Sequence, residues 1–253
     1  PAPTEIYTLS LHDALPISYD IDIPGRLKLL NQKNMDRYLE LEIKDTLQFA
    51  VIADIHAFYD ELEDVVSDIN SRPEIDIVFI DGDLTDLGLL KEYILTFDRL
   101  EKLKCPYFAV IGNHDYLSNG EKIFRKIFEK TNYSVNRVNV QFVIFDDIYW
   151  ENNNTPPDLE WLNNELTTSS APYKIVFTHI PLWSDCFPRE ITDHFRKVLT
   201  DQKVTNVFFG HDHNYEQYLE NGINYIVTGS VSKRYYQTAT VTKDTIIVTK
   251  TNF

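Results

Sequence analysis

The stretch Ile75–Asp86, IDIVFIDGDLTD, decides the fold class. An apolar run of strand length is followed at once by a glycine-containing turn that carries three aspartates. The same succession of a strand-like run and a polar turn recurs in four other places: Phe49–Ile52, Tyr107–Ile111, Lys174–Phe177 and Val204–Phe209. Segments with helical spacing separate these runs, and alternating strands and helices predict a largely parallel sheet covered on both faces.

Apolar residues at helical spacing predict five helices. They are 59–69, 91–103, 121–130, 159–166 and 191–199. Three features depart from the alternation: a strand-like run at Val140–Phe145, an alternating stretch at Tyr38–Ile43 that predicts an edge strand, and a C-terminal part, Gly222–Phe253, that reads as successive antiparallel strands with a turn at Lys243-Asp244. Such strands suit a second sheet packed on the first, which predicts a β-sandwich flanked by helices.

Composition excludes several classes of protein. The chain has 253 residues, of which 43% are apolar, and a formal net charge of −15. No apolar run approaches the roughly 18 residues that span a bilayer. The two cysteines, Cys105 and Cys186, form no CxxC pair, so neither a disulfide scaffold nor a cysteine zinc site is indicated. Scattered Lys and Arg in an acidic chain disfavour a nucleic-acid partner.

The first residues require a separate interpretation. Residues 4–17 resemble the translation of a common sequencing adapter. We therefore interpret residues 1–18 as a non-native segment and 19–253 as a single domain. On this interpretation the native N-terminus is missing from the sequence. The sequence therefore does not decide whether a signal peptide or a lipid anchor exists, or whether the protein is cytoplasmic or exported in a bacterium.

Each of the five apolar runs is followed by residue types that bind metals. These turns are Asp54-Ile55-His56, Asp81-Gly82-Asp83, Gly112-Asn113-His114, Thr178-His179 and Gly210-His211-Asp212-His213. The carboxyl ends of parallel strands face one crevice, so the five turns are expected to converge. Five of the seven histidines lie in them; the others are His12, in the adapter-like segment, and His194, in a predicted helix.

In order, spacing and flanking glycines, these turns resemble the calcineurin-like metallophosphoesterase family over residues 47–230. The resemblance implies a four-layer αββα sandwich with two mixed β-sheets, and two divalent ions that could be Mn, Fe or Zn. It assigns three groups of ligands: Asp54, His56 and His213 to the first ion, Asn113, His179 and His211 to the second, and Asp83 as the bridge. A bridging carboxylate suits ions about 3.5–4 Å apart, which acidify the water between them.

Two further residues receive roles from the resemblance. His114 would stabilise the transition state or protonate the leaving oxygen, and Asp86 would orient its imidazole. Asp86 could equally be a helix N-cap after Thr85, and the two roles are compatible. Purple acid phosphatases, on the same scaffold, carry a tyrosine where this chain has Asp86, which argues against a tyrosinate-bound ferric site.

The sequence therefore predicts a binuclear-metal-dependent phosphoesterase, a hydrolase that cleaves phosphate mono- or diesters through a metal-bridging hydroxide. Its substrate would be a small phosphorylated molecule, with the ester type left open. The residues around the motifs resemble those of bacterial cyclic-nucleotide-type and exported members of the family. The alternative is a catalytically silent metal- or partner-binding module on the same fold. Such modules lose ligands, and all seven are present here.

Overall fold

A computed structural model describes residues 21–42, 44–137 and 139–253 of the chain. The interpretation of residues 1–18 as an adapter-derived segment falls outside the described residues. Within the described part, no helix is both long and apolar enough to cross a membrane.

The strands of the described residues form two mixed sheets. The first has five strands in the order β11 (Ile246–Asn252), β10 (Tyr235–Val241), β1 (Leu47–Ile52), β2 (Ile77–Asp81) and β3 (Tyr107–Val110). The second has six, in the order β4 (Tyr133–Arg137), β5 (Val140–Ile144), β6 (Tyr173–Phe177), β7 (Asn206–Phe209), β9 (Ile223–Val227) and β8 (Glu216–Glu220). Strands β1, β2 and β3 are mutually parallel, as are β5, β6, β7 and β9. Antiparallel pairs are β1 with β10 and β10 with β11 in the first sheet, and β4 with β5 and β8 with β9 in the second.

In the part of the chain that the structure describes, six α-helices cover the outer faces of the two sheets. They are α1 (Leu30–Leu39), α2 (Tyr59–Asn70), α3 (Leu90–Leu100), α4 (Gly120–Phe128), α5 (Leu159–Thr167) and α6 (Arg189–Asp201). Apolar side chains of the first four helices pack on the sheet that contains β1, and those of α5 and α6 pack on the other sheet. A third cluster of buried residues fills the space between the sheets. The predicted four-layer αββα sandwich is confirmed.

One predicted element is wrong and three were missed. Tyr38 and Leu39 end helix α1 rather than begin an edge strand, and Ile43 lies outside the described residues. Leu30, Asn34 and Tyr38 repeat every four residues on the buried face of α1, and this helical period outweighs the short local alternation. The missed elements, α1, β4 and β8, are largely polar, so their hydrophobic pattern is weak.

Candidate metal centre

The two sheets bring five strand ends to one edge of the molecule. Strands β1, β2 and β3 of the first sheet are followed by the turns that hold Asp54, Asp83 and Asn113. Strands β6 and β7 of the second sheet are followed by the turns of His179 and His211. The site thus lies where the sandwich opens, and both sheets contribute to it.

The backbone of these turns is unusual. Five of the seven predicted ligands have positive φ: Asp54 at 50°, His56 at 47°, Asp83 at 51°, His211 at 70° and His213 at 57°. Left-handed backbone costs a residue other than glycine roughly 1–2 kcal/mol. Such strain persists only where surrounding contacts fix the conformation, and it concentrates at functional sites.

Hydrogen bonds between the turns supply that fixation. The Asp83 carbonyl accepts bonds from the Ile55 and His56 N–H groups at 2.8 and 3.0 Å, which ties the first turn to the second. The buried Asp115 carboxylate accepts from Gly112 N, Leu84 N and Thr85 N, which ties the second turn to the third. Asp115 therefore holds the turns of Asp83 and Asn113 together.

Close approach of two turns also requires a glycine. A Cβ atom added to Gly112 would lie 2.2 Å from the backbone nitrogen of Asp83. Any side chain at this position would therefore separate the turn of Asp83 from the turn of Asn113.

The first group of ligand atoms comes from Asp54, His56, Asp83 and His213, whose donor atoms all lie within 4.8 Å of one another. His56 Nε2 lies 3.1 Å from His213 Nε2 and 3.5 Å from Asp83 Oδ2. His213 Nε2 lies 3.6 Å from Asp54 Oδ1. Asp54 and Asp83 are buried, whereas the His213 side chain is 41% exposed, so the group is reached from solvent on one side.

The second group comes from Asn113, His179 and His211. Asn113 Oδ1 lies 3.1 Å from His179 Nε2 and 3.2 Å from His211 Nδ1. His179 Nε2 lies in turn 3.3 Å from Asp83 Oδ2. The same Asp83 oxygen therefore contacts one histidine of each group.

These distances fit the ligand shell of divalent ions. Metal bonds to histidine nitrogen and carboxylate oxygen are about 2.0–2.2 Å long, so neighbouring ligand atoms on one ion lie roughly 3–3.5 Å apart. Neutral imidazole nitrogens and carboxylate oxygens that face one another at this range repel unless a cation or a proton lies between them. The donor set of imidazole, carboxylate and amide oxygen suits Mn, Fe or Zn.

Outer contacts orient the histidines. His179 Nδ1 donates to the Asp81 carbonyl at 2.7 Å, which leaves Nε2 to face the ligand group. Metal-binding histidines usually donate their second N–H in this way. For His211 the inward nitrogen is Nδ1, and its Nε2 faces the Cys186 thiol at 3.8 Å.

Neighbouring charges and burial shift the pKa values of the site residues in different directions. Burial would raise the pKa of Asp83, but the imidazoles of His179 and His56 outweigh it and lower that pKa to about 2. Burial would lower the pKa of His179, but Asp83 raises it well above its usual value. Burial and the neighbouring His179 lower the pKa of His211 to about 4. His211 thus offers a free lone pair near neutral pH, whereas a proton on His179 competes with a metal ion.

His114 and Asp86 lie at the open side of the first group. His114 Nδ1 donates to the Asp86 carbonyl at 2.6 Å, while the nearest Asp86 carboxylate oxygen is 3.8 Å away. The same oxygen lies closer to His56 Nδ1, at 3.3 Å. The backbone of Asp86 therefore makes the shorter contact with His114, and its carboxylate lies between the two imidazoles. His56, Asp86 and His114 form a second set of donor atoms within 4.8 Å of one another.

Two further residues, His194 and Asp81, place no side-chain atom in the two ligand groups. His194 is exposed on α6. Asp81 is buried behind His179, and neither of its carboxylate oxygens has a hydrogen-bond partner among the described residues.

Two acidic residues that accept hydrogen bonds from the predicted ligands were missed. Glu151 accepts a hydrogen bond from Asn113, and Asp147 accepts from the His179 N–H group. Asp147 follows the run Val140–Phe145 as the other acids follow their strands, so the same rule could have found it. Glu151 lies farther along the connection between β5 and α5, and no motif marks it.

The chain is similar to known phosphoesterases. The sequence profile of the family described as calcineurin-like phosphoesterase matches residues 47–215. Human tartrate-resistant acid phosphatase type 5 is 27% identical over 186 residues, which is 58% of this chain and 56% of that protein. A 3′,5′-cyclic-nucleotide phosphodiesterase from Nostoc sp. is 27% identical over 184 residues, which is 67% of each chain. The match thus spans little more than half of the human phosphatase.

Among solved structures, GAP50, described as the anchor in the inner membrane complex of Plasmodium, shares the fold. The TM-score is 0.66 with 15% sequence identity, over 83% of this chain and 85% of that chain. At this identity the likeness concerns the fold alone.

Proposed function

The chain belongs to the calcineurin-like phosphoesterase family, and we propose that it hydrolyses phosphate mono- or diesters at a centre of two divalent metal ions. One observation carries the proposal: Asp83 Oδ2 lies 3.5 Å from His56 Nε2 and 3.3 Å from His179 Nε2, between two groups of facing donor atoms. A shared carboxylate between two such groups is what a two-metal hydrolase requires.

The ligand roles follow from this arrangement. Asp54, His56 and His213 would hold the first ion, Asn113, His179 and His211 the second, and Asp83 both. When bound, the two ions would supply positive charge that activates a water molecule and binds phosphate oxygens. The residues of the chain would hold that charge at the mouth of the sandwich, where a small ester can enter.

His114 is proposed as the acid catalyst. Its Nδ1 is engaged by the Asp86 carbonyl at 2.6 Å, so a proton for the leaving oxygen would come from Nε2. The side chain is 36% exposed, as a group that meets substrate must be. Asp86 would position His114 mainly through its backbone and His56 through its carboxylate.

The silent-module alternative has less support. A binding module has no need for a complete ligand set, and here all seven donor residues and His114 lie together. The names of the relatives, an acid phosphatase and a cyclic-nucleotide phosphodiesterase, support a hydrolase and keep both ester types within the proposal.

The test compares two chromogenic esters. Chelator-treated protein is supplied with Mn²⁺, Fe²⁺ or Zn²⁺ and assayed with p-nitrophenyl phosphate and with bis-p-nitrophenyl phosphate. We expect hydrolysis of at least one ester that stops on chelation and returns with metal, and the ratio of the two rates assigns the ester type. Absence of hydrolysis with all three metals, or hydrolysis that survives chelation, would contradict the proposal.

A further inference from the structure

Glu151 reaches the second ligand group from outside. Its Oε1 atom accepts a hydrogen bond from Asn113 Nδ2 at 3.1 Å. At the other end of the same amide, Asn113 Oδ1 faces His179 and His211 at 3.1 and 3.2 Å. We propose that Glu151 is a positioning residue that holds the Asn113 oxygen toward the second metal ion. This inference rests on the function proposed above.

The hydrogen-bonding capacity of the neighbours supports this role. An ionised carboxylate only accepts hydrogen bonds, so the end of the amide that faces Glu151 must be the NH₂ group. On the other side, His179 must be neutral to bind a metal ion, and because its Nδ1 donates to the Asp81 carbonyl, its Nε2 then carries a lone pair. That lone pair would accept from the NH₂ group if the amide turned over. Glu151 therefore decides which end of Asn113 faces the ligand group.

The connection that carries Glu151 is itself fixed. The buried Asp147 carboxylate accepts from His179 N at 3.2 Å and from Ile180 N at 3.0 Å. The neighbouring Asp146 carboxylate accepts a hydrogen bond from the Tyr116 hydroxyl at 2.7 Å. Tyr116 lies three residues after Asn113 in the chain. The connection is thus tied to two of the three turns that supply the second group, those of Asn113 and His179. Glu151 is presented to Asn113 by a supported backbone, which a positioning role requires.

A positioning role and a purely electrostatic role have different signatures. Loss of a partner that orients a metal ligand typically lowers metal affinity about 10–100-fold. A glutamine at position 151 keeps an oxygen that accepts the Asn113 N–H bond but removes the negative charge. If position matters, Glu151→Gln binds metal nearly as wild type does, and only Glu151→Ala is impaired.

The experiment measures metal binding directly. Full-length, chelator-treated protein is titrated with Mn²⁺ in a calorimeter, for wild type, Glu151→Ala, Glu151→Gln and the matched control Glu160→Ala, an exposed glutamate on α5. We expect two bound ions in each protein. Glu151→Ala should bind one of them about 10–100-fold more weakly. The melting temperatures of the metal-free proteins show that all variants are folded.

The same substitution in an Asn113→Asp variant distinguishes loss of positioning from a general loss of metal affinity. Asn113→Asp presents oxygen at both ends and needs no partner to select one, and its carboxylate is repelled by Glu151. In this background Glu151→Ala should leave the second ion bound as tightly or more tightly.

Three results would overturn the inference. Glu151→Ala could bind both ions like wild type, Glu151→Gln could be as impaired as Glu151→Ala, or Asn113→Asp could remain equally sensitive to Glu151→Ala. In each case the two-metal function would stand. Wild-type protein that binds fewer than two ions would instead refute the proposed function, and this inference with it.

Discussion

Among the described residues, six phenylalanine rings occupy the space between the two sheets, whereas the edge where the strands end carries imidazoles and carboxylates that face one another. In the interior, the Phe79 and Phe177 rings stack with centroids 3.9 Å apart, and the Phe49 ring packs edge-on against Phe79 at 5.5 Å. At the edge, the Nε2 atoms of His56 and His213 lie 3.1 Å apart, and five of the predicted ligand residues have left-handed backbone. The same strands, β1, β2, β6 and β7, build both regions.

The difference shows how the molecule separates stability from function. Burial of large aromatic side chains contributes most to the folded state, and each well-packed ring adds to it. The edge lowers the stability of the metal-free protein, because strained turns and facing donor atoms cost free energy that a bound cation would offset. Substitutions in the two regions should therefore have opposite profiles: lost stability with retained metal binding in the interior, and the reverse at the edge.

The largest effect is expected for Asp83→Asn. Asparagine has nearly the same shape and tolerates the left-handed backbone at this position, so the fold should persist. The variant should lose both ions, and its activity on every ester should fall to that of chelator-treated protein. Metal analysis and both chromogenic assays measure this. An active variant with two bound ions would remove Asp83 from the bridging role.

His114→Ala should separate chemistry from metal binding. We expect both ions to remain bound while kcat on an unactivated alkyl ester falls by roughly 10²–10⁴-fold, the range for loss of a general acid. The loss should be smaller for nitrophenyl esters, whose leaving group needs no proton. Loss of an ion, or an equal loss for all leaving groups, would show that His114 is a ligand or has another role.

Phe79→Ala tests the interior. Removal of this buried ring should lower the free energy of unfolding by about 3–5 kcal/mol, whereas Ile247→Ala, at a half-exposed position of β11, should change it little. Below the melting transition, the metal stoichiometry of Phe79→Ala should equal that of wild type. Denaturant unfolding and metal analysis together decide this, and coupled losses would mean that the two regions are not separable.

Asp81→Asn probes the cost of buried charge beneath the edge. Burial raises the pKa of Asp81 well above its usual value, so the metal-free folded protein keeps a proton that the unfolded chain releases above about pH 4. Wild-type stability therefore falls as the pH rises toward this raised pKa. The free energy of unfolding of Asp81→Asn should rise relative to that of wild type by about 1–3 kcal/mol between pH 4 and pH 8, measured in the presence of chelator. A constant difference across this range would show that Asp81 is not the cause.

The edge was more predictable from sequence than its surroundings. Each ligand turn directly follows an apolar run, so the strands and the candidate ligands are visible in the same pattern, and parallel topology implies their convergence. By contrast, β8 is an exposed edge strand without alternation, and the helical period of α1 overlaps a short alternating stretch. These elements depend on tertiary contacts that local sequence does not carry.

The residues that support the ligands were harder to predict. Glu151 lies seven residues after β5 in an irregular connection, and its contact with Asn113 follows from how Asp146 and Asp147 tie that connection to other turns. Likewise, the sequence predicted Asp86 as the partner of His114 but could not tell that its carbonyl, rather than its carboxylate, makes the shorter contact.

Anomalous diffraction from crystals of the Mn²⁺-loaded protein tests the central claim most directly. Two peaks about 3.5–4 Å apart are expected at the edge of the sandwich, with the Asp83 carboxylate between them. The first should contact Asp54, His56 and His213, and the second Asn113, His179 and His211. A single peak, peaks held by other residues, or a second ion bound by His114 in place of these ligands would contradict the account.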